Sequence, residues 1–201
     1  MFRVTWKQAV ALMASGEVVA APTETIYGLF CDPRQQKAVH KVFAMKGRDA
    51  KKALPLVAGS SAQVKRLVVW NRVADALAKK HWPGPLTMVL PLRNKARLAY
   101  GVAAKKEIAI RVSGSSDVRS LCRAVGFPLV ATSANRSGES VARSAKEIEK
   151  IFGQTIFVVD GGHLPKRKPS TILRIKKNSG MELLRSGALC EMHERRIRRE
   201  R

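Results

Sequence analysis

The sequence predicts a single-domain α/β fold in which helices cover the faces of a mixed sheet. Short, wholly apolar strands alternate along the chain with segments of helical periodicity, a pattern typical of a sheet buried between helices. Two strands follow one another directly near the end of the chain, which indicates a mixed rather than a wholly parallel sheet. The 201 residues, 45% of them hydrophobic, suffice for one sizeable core.

Capping residues and glycines mark the ends of the predicted helices. Thr5 and Gln8 form a capping box for the first helix, which Gly16 ends, and Ser144 and Glu147 have the same spacing at the last. The predicted helices are the segment from Thr5 to Gly16, Gln35 to Met45, Ala62 to Val69, Val73 to His81, Asp117 to Val125, and the segment from Ser144 to Gly153.

Apolar runs bounded by Gly, Pro and polar residues give the strands. They are Glu17 to Ala21, Leu54 to Ala58, Leu86 to Leu90, Ile108 to Val112, Pro128 to Thr132, Ile156 to Val159, Thr171 to Ile175 and Glu182 to Leu184. Pro22 to Leu29 is predicted as a hydroxyl-rich loop at a strand end, and Asn94 to Lys106 as a basic loop. We expect one domain over residues 1–190, followed by a basic tail at 191–201.

The composition favours a phosphate-bearing partner. Lys and Arg number 38 against 15 Asp and Glu, a formal net charge of +23, which attracts the phosphates of a nucleotide or a nucleic acid. A membrane surface is the alternative, but no apolar run approaches the ~20 residues of a membrane helix, and the N-terminus lacks a signal-peptide pattern. Cys31, Cys122 and Cys190 have no paired spacing, so we expect reduced thiols in a cytoplasmic protein.

Lys46 and Arg48 flank Gly47 at the end of the second predicted helix. We expect their long side chains to be free to converge at this tight turn. A guanidinium fork beside an ammonium group suits a phosphate chain. The alternative is a solvated helix end, because Lys-x-Arg is common in so basic a chain.

Further hydroxyl, amide and cationic side chains lie where predicted strands end, which is where α/β sheets bind ligands. They are Thr23 with Thr25, Arg111, Ser133 with Asn135, and Ser170 with Arg185. For the hydroxyl and amide groups the alternative is hydrogen bonding within turns, and for Arg111 it is a salt bridge. Together these groups suit a polyanion that carries a sugar, beside a small polar co-substrate.

Several familiar sites are missing from the sequence. It contains no P-loop, no Gly-x-Gly-x-x-Gly and no Gly-x-Ser-x-Gly. The histidines and cysteines have no metal-ligand spacing. A bound nucleotide would therefore be held by dispersed cations and hydroxyls.

Seven short motifs occur in an order and at a spacing that is similar to one known family. They are Pro22-Thr23-Glu24-Thr25-Ile26-Tyr27-Gly28-Leu29, Lys46-Gly47-Arg48, Trp82-Pro83-Gly84-Pro85-Leu86-Thr87, Ile110-Arg111-Val112, Thr132-Ser133-Ala134-Asn135-Arg136-Ser137-Gly138, Ser170-Thr171-Ile172 and Arg185-Ser186-Gly187. The chain resembles the YrdC-like threonylcarbamoyl-AMP synthases from about Thr5 to Leu189, in their single-domain bacterial form.

The resemblance implies an open twisted sheet with a positively charged cavity, and a nucleotidyltransferase that converts L-threonine, bicarbonate and ATP into threonylcarbamoyl-adenylate and pyrophosphate. Partner proteins then transfer the threonylcarbamoyl group to adenosine 37 of tRNA. Mg2+ would be bound mainly through the phosphates, with no metal site made by the protein.

The same resemblance implies roles for individual residues. The implied ATP contacts are Lys46, Arg48, Lys52, Ser133, Asn135, Ser170 and Arg185, with Lys46 and Arg48 also catalytic. Thr25 and Arg111 would contact threonine, Arg111 through its carboxylate. The chain departs from the family at Ser115, where many members have His, and near Val57, where others have His.

Two other functions remain open from the sequence. One is a non-catalytic protein that binds RNA, including double-stranded RNA, such as a ribosome-assembly factor; the net charge favours it. The other is a related carbamoyl-transfer enzyme with a different substrate. Catalysis and RNA binding can also coexist, in which case the basic surface and the tail, Arg195 to Arg201, would help to meet tRNA or an acidic partner.

Overall fold

The computed structural model describes residues 1–94, 96–176 and 180–189. Within these ranges the chain forms six helices and ten strands. In chain order they are β1 (Phe2–Arg3), α1 (Trp6–Ala14), β2 (Val19–Pro22), β3 (Tyr27–Cys31), α2 (Gln36–Lys46), β4 (Leu56–Ala58), α3 (Ser61–Leu67), α4 (Arg72–His81), β5 (Leu86–Pro91), β6 (Glu107–Val112), α5 (Ser116–Val125), β7 (Leu129–Ser133), α6 (Ala145–Phe152), β8 (Phe157–Val158), β9 (Thr171–Ile175) and β10 (Met181–Arg185).

All ten strands belong to one mixed sheet with the order β1-β8-β2-β3-β7-β4-β6-β5-β9-β10. Parallel pairs join β1 to β8, β2 to β8, β4 to β6 and β5 to β9, and the remaining neighbours are antiparallel. The predicted α/β class and mixed sheet are confirmed.

A separate apolar core covers each face of the sheet. Helices α1 and α5 pack Met13 and Leu121 against Val57 and Leu129, on what we call the front face. Helices α2, α3, α4 and α6 pack against Leu56 and Ile110, among others, on the rear face. Side chains alternate between faces along a strand, so Arg111, which follows Ile110, points to the front face.

The helix ends follow the predicted capping chemistry. The hydroxyl of Thr5 accepts from the amide of Gln8 in a complete capping box, and Ser144 caps α6. Helix α2 ends at Gly47, which adopts a left-handed conformation with φ of 55°. This conformation has a low cost only for glycine, and it turns Arg48 away from the helix axis directly after Lys46.

The loop predicted for Pro22 to Leu29 is wrong in its second half. Tyr27 to Cys31 form the wholly buried strand β3, which pairs with β2 and β7 near the middle of the sheet. The connection from β2 is a tight turn in which the Thr23 hydroxyl accepts from the amides of Thr25 and Ile26. The run of hydroxyls thus belongs to a hairpin turn that the sequence pattern extended too far.

Smaller differences from the predicted strands concern β1 and β2. The two-residue strand β1 was not predicted, and β2 begins at Val19 rather than Glu17. The predicted tail at 191–201 and Cys190 lie outside the described residues. In the part of the chain that the structure describes, no helix has the length and apolarity to cross a membrane.

Candidate active site

Lys46 is the most enclosed cation of the predicted site. Its side chain reaches from the last turn of α2 to the segment after β7, and the residue is only 2% exposed. Nζ donates to the carbonyl oxygen of Ser133 at 2.6 Å, and to the carbonyl and side-chain oxygens of Asn135 at 2.8 and 3.0 Å. The three donors of one ammonium group therefore hold the loop after β7 in place. The expectation that this side chain is free is wrong, because the loop oxygens enclose it.

The loop that Lys46 holds is also tied to the strands beside it. The Ser133 hydroxyl donates to Oδ1 of Asn135 at 2.6 Å, and Nδ2 of Asn135 donates to the Glu139 carbonyl at 2.7 Å. The amide of Ala134 donates to the Tyr27 carbonyl. The structure thus brings Lys46, Ser133 and Asn135 together as one unit beside the start of β3.

Arg48 lies beside this unit and adds a second positive charge. Its Nε and Nη2 donate to the carbonyls of Lys52 and Ala53 at 2.9 and 3.0 Å. Burial, followed by the charge of Arg48, lowers the pKa of Lys46 to about 8. Burial also lowers the pKa of Arg48. The main chain of Lys52 is thus in contact with the site, while the Lys52 residue itself is exposed to solvent.

Glu24 forms an ion pair with Arg111 that joins the β2–β3 turn to the end of β6. The carboxylate also accepts from the buried Ser113 hydroxyl at 2.7 Å and from the Ser115 amide at 3.3 Å. Burial alone raises the pKa of Glu24, but Arg111 and these hydrogen bonds outweigh it, so the pKa lies below its usual range. Arg111 therefore faces a fixed carboxylate, as the salt-bridge alternative anticipated.

The turn that carries Glu24 also carries the predicted threonine ligand Thr25. The hydroxyls of Thr25 and Thr23 are 3.0 Å apart, and Thr25 is 7% exposed. From the far side, Nη1 of Arg167 donates to the Glu24 carbonyl at 2.8 Å. Two arginines thus hold the turn at Glu24, Arg111 through the carboxylate and Arg167 through the carbonyl oxygen.

Ser170 and Arg185 form a third group at the start of β9 and the end of β10. The guanidinium of Arg185 donates to the Ser170 carbonyl at 2.8 Å and to its hydroxyl at 3.1 Å. That hydroxyl lies 2.8 Å from the hydroxyl of Thr87. Burial, followed by the charge of Arg111, lowers the pKa of Arg185. Arg185 is therefore close enough to the Glu24–Arg111 pair for the charges of the two arginines to interact.

The sequence reasoning missed Glu24, Ser113, Arg167 and Thr87 as site residues. Glu24 and Thr87 lie inside two of the seven motifs, and the signal for Glu24 is a lone carboxylate between two threonines. Ser113 and Arg167 had no local signal, because only the fold brings them to the turn.

The two positions where the chain departs from the YrdC-like pattern that it resembles have different surroundings. Ser115 caps α5, since its hydroxyl accepts from the Val118 amide at 3.4 Å, and its own amide contacts Glu24. Val57 is fully buried in the front core with Leu121 and Leu129. Ser115 therefore borders the site, whereas the Val57 side chain packs beneath helix α5.

The cysteines and acidic residues show no sign of nucleophilic or metal chemistry in the described ranges. Burial raises the pKa of Cys31 and of Cys122 to about 12, so both thiols stay protonated at neutral pH. Among residues 1–94, 96–176 and 180–189, no three His, Cys, Asp or Glu side chains form a group suited to a metal ion.

Comparison with known proteins finds a family model and several relatives that match the chain over most of its length. The family model described as "Telomere recombination", which groups Sua5, YciO and YrdC, matches residues 11–187. A threonylcarbamoyl-AMP synthase of Chromohalobacter salexigens is 41% identical over 82% of this chain and 89% of its own. That of Thiobacillus denitrificans is 36% identical over 81% of this chain and 87% of its own.

Solved structures agree with the fold. The structure of P. abyssi Sua5 complexed with L-threonine matches with a TM-score of 0.83 and 30% identity, over 96% of this chain. The chain spans only 59% of that longer protein. E. coli YciO matches with a TM-score of 0.80 over 92% of this chain and 94% of its own, but at 22% identity it supports the fold alone.

Proposed function

The chain belongs to the Sua5/YciO/YrdC family, and we propose that it is a threonylcarbamoyl-AMP synthase. It would convert L-threonine, bicarbonate and ATP into threonylcarbamoyl-adenylate and pyrophosphate. The observation that carries the proposal is the ammonium of Lys46, buried in the loop of Ser133 and Asn135 beside the guanidinium of Arg48. Curated relatives with this activity are 35 to 41% identical to the chain.

The cations of the candidate site suit a reaction in which negative charge develops on phosphoryl oxygens. The amine of threonine adds to bicarbonate with loss of water and forms an N-carboxylate. A carboxylate oxygen then attacks the α-phosphorus of ATP, the bond to the bridging oxygen breaks, and pyrophosphate leaves. Negative charge grows on phosphoryl oxygens, and fixed cations stabilise it best where little water is present. We assign the phosphates to Lys46 and Arg48, and further ATP contacts to Lys52, Ser133, Asn135, Ser170 and Arg185.

Lys46 acts mainly by position in this scheme. Its three donors are already used by the loop, so it fixes the hydroxyl of Ser133 and contributes a buried positive charge beneath the phosphates. Arg48 supplies the adjoining charge. Mg2+ would enter with ATP, since it binds through phosphate oxygens and keeps several waters, and it would neutralise part of the phosphate charge.

The Glu24–Arg111 pair suits the amino acid. Free threonine carries an α-carboxylate and an α-ammonium group a few ångströms apart, and Arg111 with Glu24 presents the opposite charges. We propose that Arg111 binds the carboxylate, that Glu24 holds the ammonium, and that the Thr25 hydroxyl lies beside them. The pair would thus orient threonine before its amine loses the proton and reacts.

The remaining steps involve other macromolecules. Transfer proteins would move the threonylcarbamoyl group from the adenylate to adenosine 37 of tRNA, giving t6A, in the cytoplasm. A non-catalytic role in RNA binding explains the net charge but not the ion pair of Glu24 and Arg111, so we rank it second.

The activity is tested by incubating the protein with ATP, Mg2+, bicarbonate and each of several amino acids. We expect pyrophosphate and an adenylate of the mass of threonylcarbamoyl-AMP with threonine, and much less with serine or valine. Equal turnover of another amino acid would indicate the related carbamoyl-transfer enzyme. The absence of any adenylate would reject the proposed activity.

ATP affinity should decrease as the pH rises above about 8. A lysine is cationic below its pKa and neutral above it, and the pKa of Lys46 is about 8. The buried positive charge is therefore present at neutral pH and is lost at higher pH. Calorimetric titration with ATP between roughly pH 7 and 10 measures this. The Lys46→Met variant should lack the pH dependence, and an unchanged wild-type affinity up to pH 10 would contradict the assignment.

Glu24→Gln should raise the KM for threonine about tenfold and leave the Kd of ATP unchanged. Glutamine can still accept from Ser113 but lacks the charge that we assign to the substrate ammonium. Steady-state kinetics with varied threonine measure the effect. A lower KM would instead mean that Glu24 competes with the substrate carboxylate for Arg111.

A further inference from the structure

A second basic feature lies away from the candidate active site. It is a groove of about 1250 Å3 between the end of α3, the end of β5, the start of β6 and the loop before β7. Seven cationic side chains line it, namely Arg34, Arg66, Arg93, Arg97, Lys105, Lys106 and Lys176. We call this feature the rear groove.

The rear groove and the Arg111 side of the candidate active site lie on opposite faces of the sheet, whereas Lys46 is carried by α2 on the rear face. Groove residues Leu67, Trp70 and Leu92 pack with the rear core, which contains Ile110. Arg111 is the next residue of the same strand and points to the front face. No residue of the candidate active site lines the rear groove, so a ligand in the groove would leave that site open.

The charges of the rear groove are nearly all of one sign. Glu107 is its single carboxylate, and Glu107 is already paired with Arg174 at 3.2 Å. Arg34 is paired with Asp32. Across the described ranges, none of the other six lining cations has a carboxylate within ion-pair distance. This local excess attracts an extended polyanion.

Two half-buried aromatic rings accompany the cations. Trp70 and Phe127 both line the groove. The guanidinium of Arg34 lies 4.7 Å from the centre of the Phe127 ring, and Nζ of Lys65 lies 5.1 Å from that of Trp70. Aromatic rings beside cations are the usual means of binding nucleic-acid bases together with their phosphates.

Lys105 and Lys106 hold a conformation that lysine disfavours. Their φ angles are 50° and 58°, in a turn closed by a bridge between Ala104 and Glu107. A left-handed residue other than glycine or asparagine costs about 1 kcal/mol. Asn-Gly would suit such a turn better. Lysine at both positions therefore indicates that the two side chains have a function that the turn itself does not require.

We propose that the rear groove is an RNA-binding site that contacts the phosphate backbone through its cations and unpaired bases through Trp70 and Phe127. The groove is concave, which suits a strand or a duplex edge better than a flat bilayer. The site is independent of the proposed synthase activity and would let RNA and ATP bind at the same time.

The test uses the full chain and a matched pair of double variants. Lys105→Asn/Lys106→Gly removes two groove charges and relieves the turn. Lys146→Gln/Lys150→Gln removes two charges from α6, which lies near β1 through the ion pair of Met1 with Glu149. Fluorescence anisotropy with a labelled tRNA transcript and a short RNA duplex gives the Kd over a range of salt concentrations. Thermal unfolding and adenylate synthesis report on the fold.

We expect the groove variant to bind RNA roughly tenfold more weakly at moderate salt, with a salt-dependence slope smaller by about 1 to 2. The α6 variant should bind RNA within about twofold of wild type. The groove variant should unfold at the same or a higher temperature and keep its adenylate synthesis. Saturating ATP with threonine should leave RNA affinity unchanged.

Four results would overturn the proposal. They are the absence of RNA binding by wild type, equal losses in both double variants, displacement of RNA by ATP, and tighter binding of wild type to phosphatidylserine vesicles than to RNA. Equal losses would mean that only net charge matters, and displacement would put RNA in the candidate active site. If the wild-type protein had no synthase activity, the RNA-binding measurements would be unaffected, so the two proposals can fail separately.

Discussion

Replacing Lys46 by methionine is expected to lower the rate of adenylate synthesis by roughly a hundredfold or more, an effect like that of losing one oxyanion donor. Methionine keeps the length of the side chain but removes the ammonium donor from the Asn135 carbonyl oxygen, whereas the Ser133 carbonyl keeps the Asn135 amide and Oδ1 of Asn135 keeps the Ser133 hydroxyl. Unpaired buried acceptors cost about 2 kcal/mol, so the unfolding temperature should fall while the chain still folds. Pyrophosphate release and thermal unfolding measure the two effects.

Lys37→Met is the matched control for this variant. Lys37 lies on the same helix, α2, but is exposed to solvent. We expect it to change neither the rate nor the unfolding temperature appreciably. Near-normal synthesis by Lys46→Met would show that the enclosed ammonium has no part in the reaction.

Replacing Arg111 by glutamine is expected to raise the KM for threonine about a hundredfold. The substrate carboxylate would lose its charged partner, and Glu24 would be left without its counter-ion. The Kd of ATP should change little, because the phosphates are assigned to Lys46 and Arg48. Steady-state kinetics with threonine and calorimetry with ATP separate the two effects.

A double variant distinguishes binding from folding at this position. Glu24→Gln/Arg111→Gln removes both charges, so no unpaired ion remains in the site, and its unfolding temperature should exceed that of Arg111→Gln. Its KM for threonine should stay high. Recovery of the KM together with the unfolding temperature would mean that Arg111 serves the fold alone.

Local chemistry made most elements predictable. The helix from Gln36 to Lys46 followed from its apolar spacing and from Gly47 beyond its end, and Thr5 and Ser144 marked two further helix starts. These signals act within a few residues, so they are visible in sequence. Strand β3 was missed because its buried residues follow a polar turn, and its partners β2 and β7 exist only in the folded sheet.

Sequence motifs indicated some residues of the candidate site but none of its contacts. Motif resemblance gave Lys46, Ser133 and Asn135, and the structure shows that they hold one another. No sequence pattern indicates that the ammonium is enclosed, because its acceptors lie 87 and 89 residues further along the chain. Glu24 was hidden for the same reason, since its partner Arg111 is equally remote.

The location of the rear groove was not predictable from the composition of the chain. A net charge of +23 predicts affinity for phosphates somewhere on the surface. The sequence does not tell which cations lack a carboxylate neighbour or which face they share. The fold places six of them together with Trp70 and Phe127, opposite the face that carries Arg111.

Calorimetric titration of the folded chain with ATP and Mg2+, followed by threonine and bicarbonate, tests the central claim most directly. We predict a saturable heat with ATP at neutral pH, a second with threonine, and a marked loss of the first in Lys46→Met. A complete absence of heat with ATP, with or without threonine, would contradict the assignment of this cation-lined site to nucleotide activation.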